Sequence, residues 1–414
     1  MRNIKQFTTV SVLSLLLALS ALYPVAAESL TLNSNGTAPS WRVTTVDTLG
    51  DVGFRSSVAV DAKSNYLISY YESKDPYNDA GNLKFAKKSK LTGKWEVSTI
   101  DDSEQVFPVS SLVVDAKGNY VIAYYAGEKL LLAIKGPTSA EWQKFTVDEG
   151  MLYGKYVSLI VDRAGNYVMS YVYLYGRSEG QRLMFAKVSP DLSSVLISRI
   201  VPDGGIVGKS NSVAQDIDGN YVVAFNAELS NLSYAKSFDG GANWAACVVD
   251  WEGEDSISLK IDSSGNYLIS YVSHLVTDAD WKYPHAHVKF ARLIRGQDNW
   301  QIVVVDKQHG SDADLGTSLG LDRYGSYYIV YSGEYNNNFV YDYDLKIARS
   351  INLGASWSIE TADRIGSTGL SPSLAINGTS VAVSYNLVEF PDVASQVNDL
   401  RFAEGKVTVV PATD

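Results

Sequence analysis

Residues 111–124 have the sequence SLVVDAKGNYVIAY, in which two short apolar segments flank an Asp-x-x-Gly-Asn turn. Both segments are rich in β-branched and aromatic residues and are too short for a stable helix. The glycine supplies the positive φ angle that a tight turn between antiparallel strands requires. This stretch therefore predicts a β-hairpin. Farther along, Trp142 and Asp148 bound a fourth strand of the same unit.

The same pattern recurs along the chain. Each copy has a small apolar strand that ends in Asp, a Gly-Asn turn, a Tyr-rich strand and a third strand, and most copies continue with a Trp that begins a fourth strand. The residues equivalent to Asp115 are Asp61, Asp115, Asp162, Asp216, Asp262, Asp322 and Asn377. Their spacing of 46 to 60 residues is the length of a four-stranded blade. The sequence predicts an all-β fold, a seven-bladed β-propeller of four-stranded antiparallel blades.

The last repeat is incomplete, and this indicates how the ring closes. No Trp follows its third strand at Leu400–Ala403, whereas Trp41–Asp47 precedes the first repeat and resembles the fourth strand Trp300–Asp306. We therefore expect the N-terminal strand to complete the last blade. Residues 406–410 could compete for the same place.

The N-terminus has the features of an export signal. Arg2 and Lys5 precede an apolar run, and Val25-Ala26-Ala27 offers small residues for cleavage. We expect a secreted or periplasmic protein without a membrane span. The expected organisation is a signal peptide at 1–27, a linker at 28–40, a single propeller at 41–410 and a C-terminal tail at 411–414.

Composition excludes some partners. The formal net charge is −11, which disfavours nucleic acid and anionic membrane surfaces. No cofactor is predicted. Cys247 is the single cysteine, so no intrachain disulfide can form, and its apolar surroundings favour a buried thiol.

One face of the propeller is the expected working face. In a propeller, the loops from strand two to three and from strand four to the next strand one share a face. The two-to-three loops of blades one, five, six and seven are long, while the turns between strands one and two are short and alike. Loops that vary on a repeated scaffold are typical of binding surfaces.

Blades five and six carry the candidate ligand site. Trp251 and Trp281 are the two tryptophans outside the repeat pattern, and both fall in loops of this face. Exposed aromatic rings beside polar groups suit sugars, because a ring covers the apolar face of a pyranose. The alternative is that the rings form the loops' own small core. The candidate residues are Trp251, Asp255, Trp281, Tyr283, His285, Tyr335, Asn336 and Tyr341.

A metal is an alternative use of the same loop. His285 and His287 lie two residues apart, and Asp278 or Asp280 could complete a site. Calcium is possible at Asp pairs such as 312/314 and 342/344, although solvated turns are the simpler explanation of such pairs.

Two turns carry a family resemblance. Residues 237–244, SFDGGANW, match the Asp-box Ser-x-Asp-x-Gly-x-x-Trp, and residues 350–357, SINLGASW, are a variant with Asn for Asp. The chain thus resembles the sialidase-like superfamily of propellers with Asp-box (BNR-type) repeats. In architecture it looks like the seven-bladed lectin-like propellers.

That resemblance implies a possible catalytic set. Phe54-Arg55 preserves the start of the family's Phe/Tyr-Arg-Ile-Pro motif, whose Arg grips the substrate carboxylate, and Asp75 or Asp79 would be the acid/base. No convincing second or third Arg is present, and the family's catalytic propeller has six blades. Three functions stay open: a carbohydrate-binding module, a sialidase-like glycoside hydrolase, and a protein-interaction or adhesion scaffold.

Overall fold

The computed structural model of the chain describes residues 41–74, 81–151, 153–174, 181–201, 207–227, 231–253, 255–276, 285–307, 316–334, 343–392 and 395–406. All regular secondary structure in these ranges is β-strand. A search of the same residues for a helix that could cross a membrane finds none.

The strands follow one another in short antiparallel meanders. They are β1 (Trp41–Asp47), β2 (Asp51–Val60), β3 (Tyr66–Ser73), β4 (Gly81–Lys88), β5 (Trp95–Val114), β6 (Tyr120–Ala126), β7 (Lys129–Lys135), β8 (Gln143–Glu149), β9 (Tyr153–Val161), β10 (Tyr167–Leu174), β11 (Gln181–Val188), β12 (Val195–Arg199), β13 (Val207–Gln215), β14 (Tyr221–Ala227), β15 (Asn231–Ser237), β16 (Ala245–Asp250), β17 (Asp255–Ile261), β18 (Tyr267–Val276), β19 (His285–Leu293), β20 (Trp300–Lys307), β21 (Thr317–Leu321), β22 (Tyr327–Glu334), β23 (Tyr343–Ser350), β24 (Ser358–Asp363), β25 (Ser367–Asn377), β26 (Ser380–Asp392) and β27 (Ser395–Lys406).

Within the described ranges these strands form five four-stranded sheets and one seven-stranded sheet, β2 to β8. The larger sheet arises because β5 serves two repeats: Trp95–Asp101 pairs with β4, and Ser110–Val114 pairs with β6. The all-β propeller architecture is confirmed. The count of seven blades depends on dividing β5 between two of them and stays a prediction.

The first strands of the repeats surround a central channel. The strands β2, β5, β9, β13, β17, β21 and β25 each contact the next, and β25 contacts β2. The ring closes through β1, which pairs with β27 so that Trp41 lies opposite Gly405 and Thr45 opposite Arg401. Closure by the N-terminal strand is therefore confirmed. The competing segment after Lys406 lies outside the described residues.

A serine four positions before the repeat Asp links each first strand to the next. These strands are sheet edges, so their N–H groups need acceptors other than a neighbouring strand. Each serine Oγ accepts a backbone N–H of the following first strand, at 3.0 to 3.1 Å in all cases. The serines are Ser57, Ser111, Ser158, Ser212, Ser258, Ser318 and Ser373.

Aromatic side chains fill the spaces between neighbouring sheets. Trp244, at the end of the first Asp-box-like turn, packs against Phe185 of the preceding sheet with ring centroids 5.1 Å apart. In the same turn Ser237 Oγ accepts the N–H of Gly241 at 2.8 Å, and Asp239 accepts the N–H of Asn243 at 2.9 Å. These bonds close the turn locally. Its assignment to the Asp-box family stays a prediction.

Two expectations from sequence are wrong. Cys247 is exposed, because β16 is an outer strand whose side chains face solvent. The connection between β26 and β27 is not a long loop, because β26 extends to Asp392 and β27 begins at Ser395. Most of the residues that the sequence assigned to this loop lie instead in two long strands that pair with each other.

Candidate functional site

A pocket of about 210 Å³ lies at one mouth of the central channel. In six of the seven repeats its wall includes the residue six positions before the repeat Asp or Asn, at the start of the first strand, and the second repeat contributes Ser110. Most of these are small: Ser210, Ser256, Gly316 and Ser371. The pocket continues into a channel cavity of about 550 Å³, which all seven first strands line. The mouth is therefore a hydroxyl-rich opening to the axis of the ring.

Arg55 and Tyr156 are the two large side chains in this wall. The Arg55 guanidinium carbon lies 4.7 Å from the centroid of the Tyr156 ring, and its Nη2 donates a hydrogen bond to the Tyr156 hydroxyl at 3.4 Å. Stacking of this kind is worth roughly 0.5–2 kcal/mol and fixes the plane of the guanidinium. Since one flat face rests on Tyr156, most of the N–H edge stays available to a ligand.

Backbone irregularities set the shape of the mouth. Arg55, Ser256 and Ser371 have φ angles of 44°, 56° and 48°, in the left-handed region that residues other than glycine rarely adopt. Each lies where its strand slips out of regular register with the second strand. Such bulges redirect a side chain out of the sheet. In β2 this places the Arg55 side chain at the pocket.

The charge of the channel is opposite to that of the protein. Among the described residues that line the cavity and its mouth, the charged ones are Arg55 and Lys260, both cationic. The chain as a whole has a net charge of −11. Fixed positive charge inside a narrow wall of neutral residues attracts anions locally.

Trp251 lies on the same face as the mouth. It follows the last residue of β16 and precedes β17, in a connection from a fourth strand to a first strand, and its side chain is 71% exposed. The next residue, Glu252, accepts a hydrogen bond from Lys289 at 2.7 Å. Lys289 also donates to Asp250 at 3.1 Å, so the base of the connection is anchored while the indole stays free for contact.

Most of the other candidates from sequence cannot be placed. Asp255 begins β17 and His285 begins β19, but their side chains lie outside the described part of the chain. The remaining ligand candidates, Trp281, Tyr283, Tyr335, Asn336 and Tyr341, fall in connections outside the described residues, as do Asp75 and Asp79 of the catalytic hypothesis. Their roles stay predictions.

Most of the candidate metal ligands also lie outside the described residues. His287 lies in β19 and is buried, whereas Asp278, Asp280 and the side chain of His285 are outside the described residues. Within the described ranges no three His, Cys, Asp or Glu side chains are grouped closely enough to hold a metal ion.

Sequence reasoning missed Tyr156, Lys260 and the serine ring. All belong to first strands, whose sequence pattern is that of small apolar segments. Alignment of the seven first strands on the repeat Asp would have revealed the invariant serine. It would also have shown the positions where one repeat has a large or charged residue and the others a small one.

Known proteins resemble this chain in structure but not in sequence. No family model matches it, and no curated protein matches it in sequence. A PL25 ulvan lyase bound to -[GlcA(1-4)Rha3S]- aligns at 12% identity and a TM-score of 0.61, over 86% of this chain and 95% of that one. A protein of unknown function from Dyadobacter fermentans aligns at 10% identity and a TM-score of 0.53, over 89% and 100% of the two chains.

The sialidase NanB from Streptococcus pneumoniae also aligns, at 11% identity and a TM-score of 0.47, over 87% of this chain and 70% of that one. At such identities a likeness shows the fold alone. The alignment with the ulvan lyase supports a propeller fold for this chain, of a kind also found in a polysaccharide lyase.

Proposed function

We propose that the protein is an exported propeller that binds carbohydrate at the mouth of its central channel, with acidic glycans as the ligand class. The stacked pair of Arg55 and Tyr156 carries this proposal. A guanidinium with a free N–H edge can bind a carboxylate or sulfate with two parallel hydrogen bonds. The surrounding serine hydroxyls suit the hydroxyl groups of a sugar.

Two further observations support an acidic glycan. The mouth and channel contribute only positive charges among their described lining residues, so an anionic sugar avoids the repulsion it would meet elsewhere on the surface. Structural neighbours include a lyase bound to a glucuronate-containing polysaccharide, which is consistent with this ligand class.

The proposed ligand surface extends from the mouth over blades five and six of a seven-bladed ring. Trp251 supplies an exposed ring for the apolar face of a sugar. The other contacts would come from Asp255, Trp281, Tyr283, His285, Tyr335, Asn336 and Tyr341. Export is part of the proposal, and N-terminal sequencing should find a mature chain that begins near Glu28.

A glycan array with neutral, uronate-containing and sulfated oligosaccharides tests the proposal. We expect acidic glycans to bind, and Arg55→Ala to weaken them by roughly 10- to 100-fold, since a hydrogen bond to a charged group is worth about 1.5–3 kcal/mol. Arg364→Ala is the matched control, because this arginine is exposed between β24 and β25. Binding that Arg55→Ala leaves unchanged, or no glycan binding at all, would refute the proposal.

Hydrolysis is the second candidate, and the location of Arg55 in the mouth favours it. Within the described lining of the pocket, however, Arg55 is the single arginine, whereas a sialidase-like clamp has three. Release of a reporter from a sialyl substrate, abolished by Arg55→Ala, would establish the glycosidase. Binding without turnover supports the binding module, and a protein partner with no glycan bound would support the scaffold.

A further inference from the structure

Lys260 is an exception in the wall of the central channel. It lies in β17, two positions before Asp262, and lines the channel cavity. The equivalent residues of the other repeats are small or aliphatic: Ala59, Val113, Ile160, Ala214, Gly320 and Ala375. A propeller of this kind therefore does not require a lysine here to fold.

The channel gives this lysine no acidic partner among the described residues. No carboxylate lines the cavity in that part of the chain. The nearest acid along the strand, Asp262, accepts hydrogen bonds from Asn266 and Tyr327 at 2.8 Å each. The Lys260 side chain is exposed to the channel rather than buried in the sheet. The channel walls still shield its amine from bulk water, and this desolvation lowers the pKa of Lys260.

Hydroxyl donors surround the same cavity. Each serine of the ring uses its oxygen to accept a backbone N–H, and this leaves its own O–H proton free to donate. All seven of these serines line the channel cavity. Among the described residues, no acceptor for their protons is found. The cavity thus combines one positive charge with a ring of hydroxyl donors, which together are suited to oxygen atoms that carry negative charge.

We propose that the central channel is a binding site for a small oxyanion, with Lys260 as its charged partner and serine hydroxyls of the ring as further donors. The ligand class is a sulfate, phosphate or carboxylate group. It can come from a free inorganic ion or from the charged end of an acidic sugar. This site is separate from the glycan surface at the mouth, so either proposal can fail while the other holds.

Isothermal titration of the full mature protein tests the site. The probes are sodium sulfate, sodium phosphate and sodium glucuronate, with ionic strength held constant by sodium chloride. We expect saturable binding of one ion per chain, weakened roughly 10- to 100-fold by Lys260→Ala, since a charge-assisted hydrogen bond is lost. Sulfate or phosphate binding alone identifies a free ion as the ligand, and glucuronate binding alone identifies an acidic sugar.

The repeat offers matched controls. Ala is the natural residue at this position in three repeats, so Lys260→Ala should fold, and Lys117→Met removes a lysine from an exposed turn without affecting binding. Adding Ala59→Lys to the Lys260→Ala variant moves the ammonium to another blade of the same cavity and should restore much of the affinity. A purely structural lysine would not be rescued in this way.

The pH profile is a further readout. The protonated amine binds the anion, so affinity should fall as the pH rises through the lowered pKa of Lys260, below the range of an ordinary lysine. Absence of binding for all three ions, or equal binding by wild type and Lys260→Ala, would overturn the proposal.

Discussion

Arg55, Tyr156 and Lys260 occupy positions that other repeats fill mostly with small or aliphatic residues. In a repeat protein the shared positions build the scaffold, so the exceptions are where a function can be sought. Arg55 also has a backbone φ angle of 44°, a conformation that costs of order 1–3 kcal/mol for a side chain with a Cβ. Neighbouring structure must hold it there, and its stacking on Tyr156 is part of that restraint.

The exposed indole of Trp251 leads to separate predictions for stability and for glycan binding. Trp251→Ala should leave the free energy of unfolding within about 0.5 kcal/mol of wild type, because the indole is exposed. If the ring packs on a sugar, the same variant should lose roughly 1–3 kcal/mol of glycan binding. Thermal denaturation and glycan titration measure the two effects.

Phe238 provides the matched control for Trp251. It is also 71% exposed, but it lies in the turn between β15 and β16, on the opposite face of the ring. Phe238→Ala should change neither quantity. If Trp251→Ala destabilises the protein without a specific loss of binding, the indole belongs to the core of its own loop.

Hydrogen bonds from tyrosine hydroxyls to aspartate carboxylates join neighbouring repeats. In each case a tyrosine hydroxyl of a second strand donates to the Asp near the end of the fourth strand of the preceding repeat, as Tyr271 does to Asp250 at 2.6 Å. Burial alone would raise the pKa of Asp250, but the bond from Tyr271 and the charge of Lys289 lower it. The corresponding position in β14 is Phe225, which has no hydroxyl. The pairs are Tyr70–Asp47, Tyr124–Asp101, Tyr171–Asp148, Tyr271–Asp250, Tyr331–Asp306 and Tyr385–Asp363.

Tyr271→Phe should destabilise the protein by roughly 1.5–3 kcal/mol, because it removes a hydrogen bond to a charged group between two sheets. Urea denaturation gives the free energy of unfolding. Tyr324→Phe is the control, since its hydroxyl lies in an exposed turn beside Arg323 and its loss should cost less than about 0.5 kcal/mol. Equal stability of the two variants would show that these hydrogen bonds make no net contribution to the free energy of unfolding.

The whole ring depends on ionised carboxylates that accept hydrogen bonds between its repeats. Asp216 is an example: burial would raise its pKa, but bonds from Lys236, Asn220 and Tyr267 lower it to about 2. Asp47, Asp61, Asp101, Asp162 and Asp250 also have lowered pKa values and similar bonds between repeats. A lowered pKa in the folded state stabilises that state above the unfolded pKa, and this stabilisation is lost as the pH falls through the folded value.

We therefore expect the stability of the ring to be nearly constant from neutral pH to about pH 4.5 and to decline steadily toward pH 2. Chemical denaturation at a series of pH values measures this. Asp216→Asn should lower the neutral plateau and flatten the decline, whereas Asp218→Asn, at an exposed position, should keep the wild-type profile. An acid-independent denaturation midpoint would contradict the expectation.

The sequence by itself determined the repeat, the strand order within it and the closing strand. These follow from local chemistry: alternating apolar residues, a turn that needs a positive φ angle, and a missing fourth strand whose match lies at Trp41–Asp47. It also identified Arg55 through a family resemblance, and Trp251 as a tryptophan outside the pattern.

Tertiary structure alone decided what lies at the centre. Tyr156 is 101 residues from Arg55, and their contact exists because two first strands face the same channel. The serine ring links residues of different repeats. The lowered pKa of Lys260 depends on channel walls that six other first strands complete. Cys247 is exposed for the converse reason, since its strand is the outermost of its sheet. Burial and partnership across repeats depend on how the first strands face one another around the channel, which no local pattern encodes.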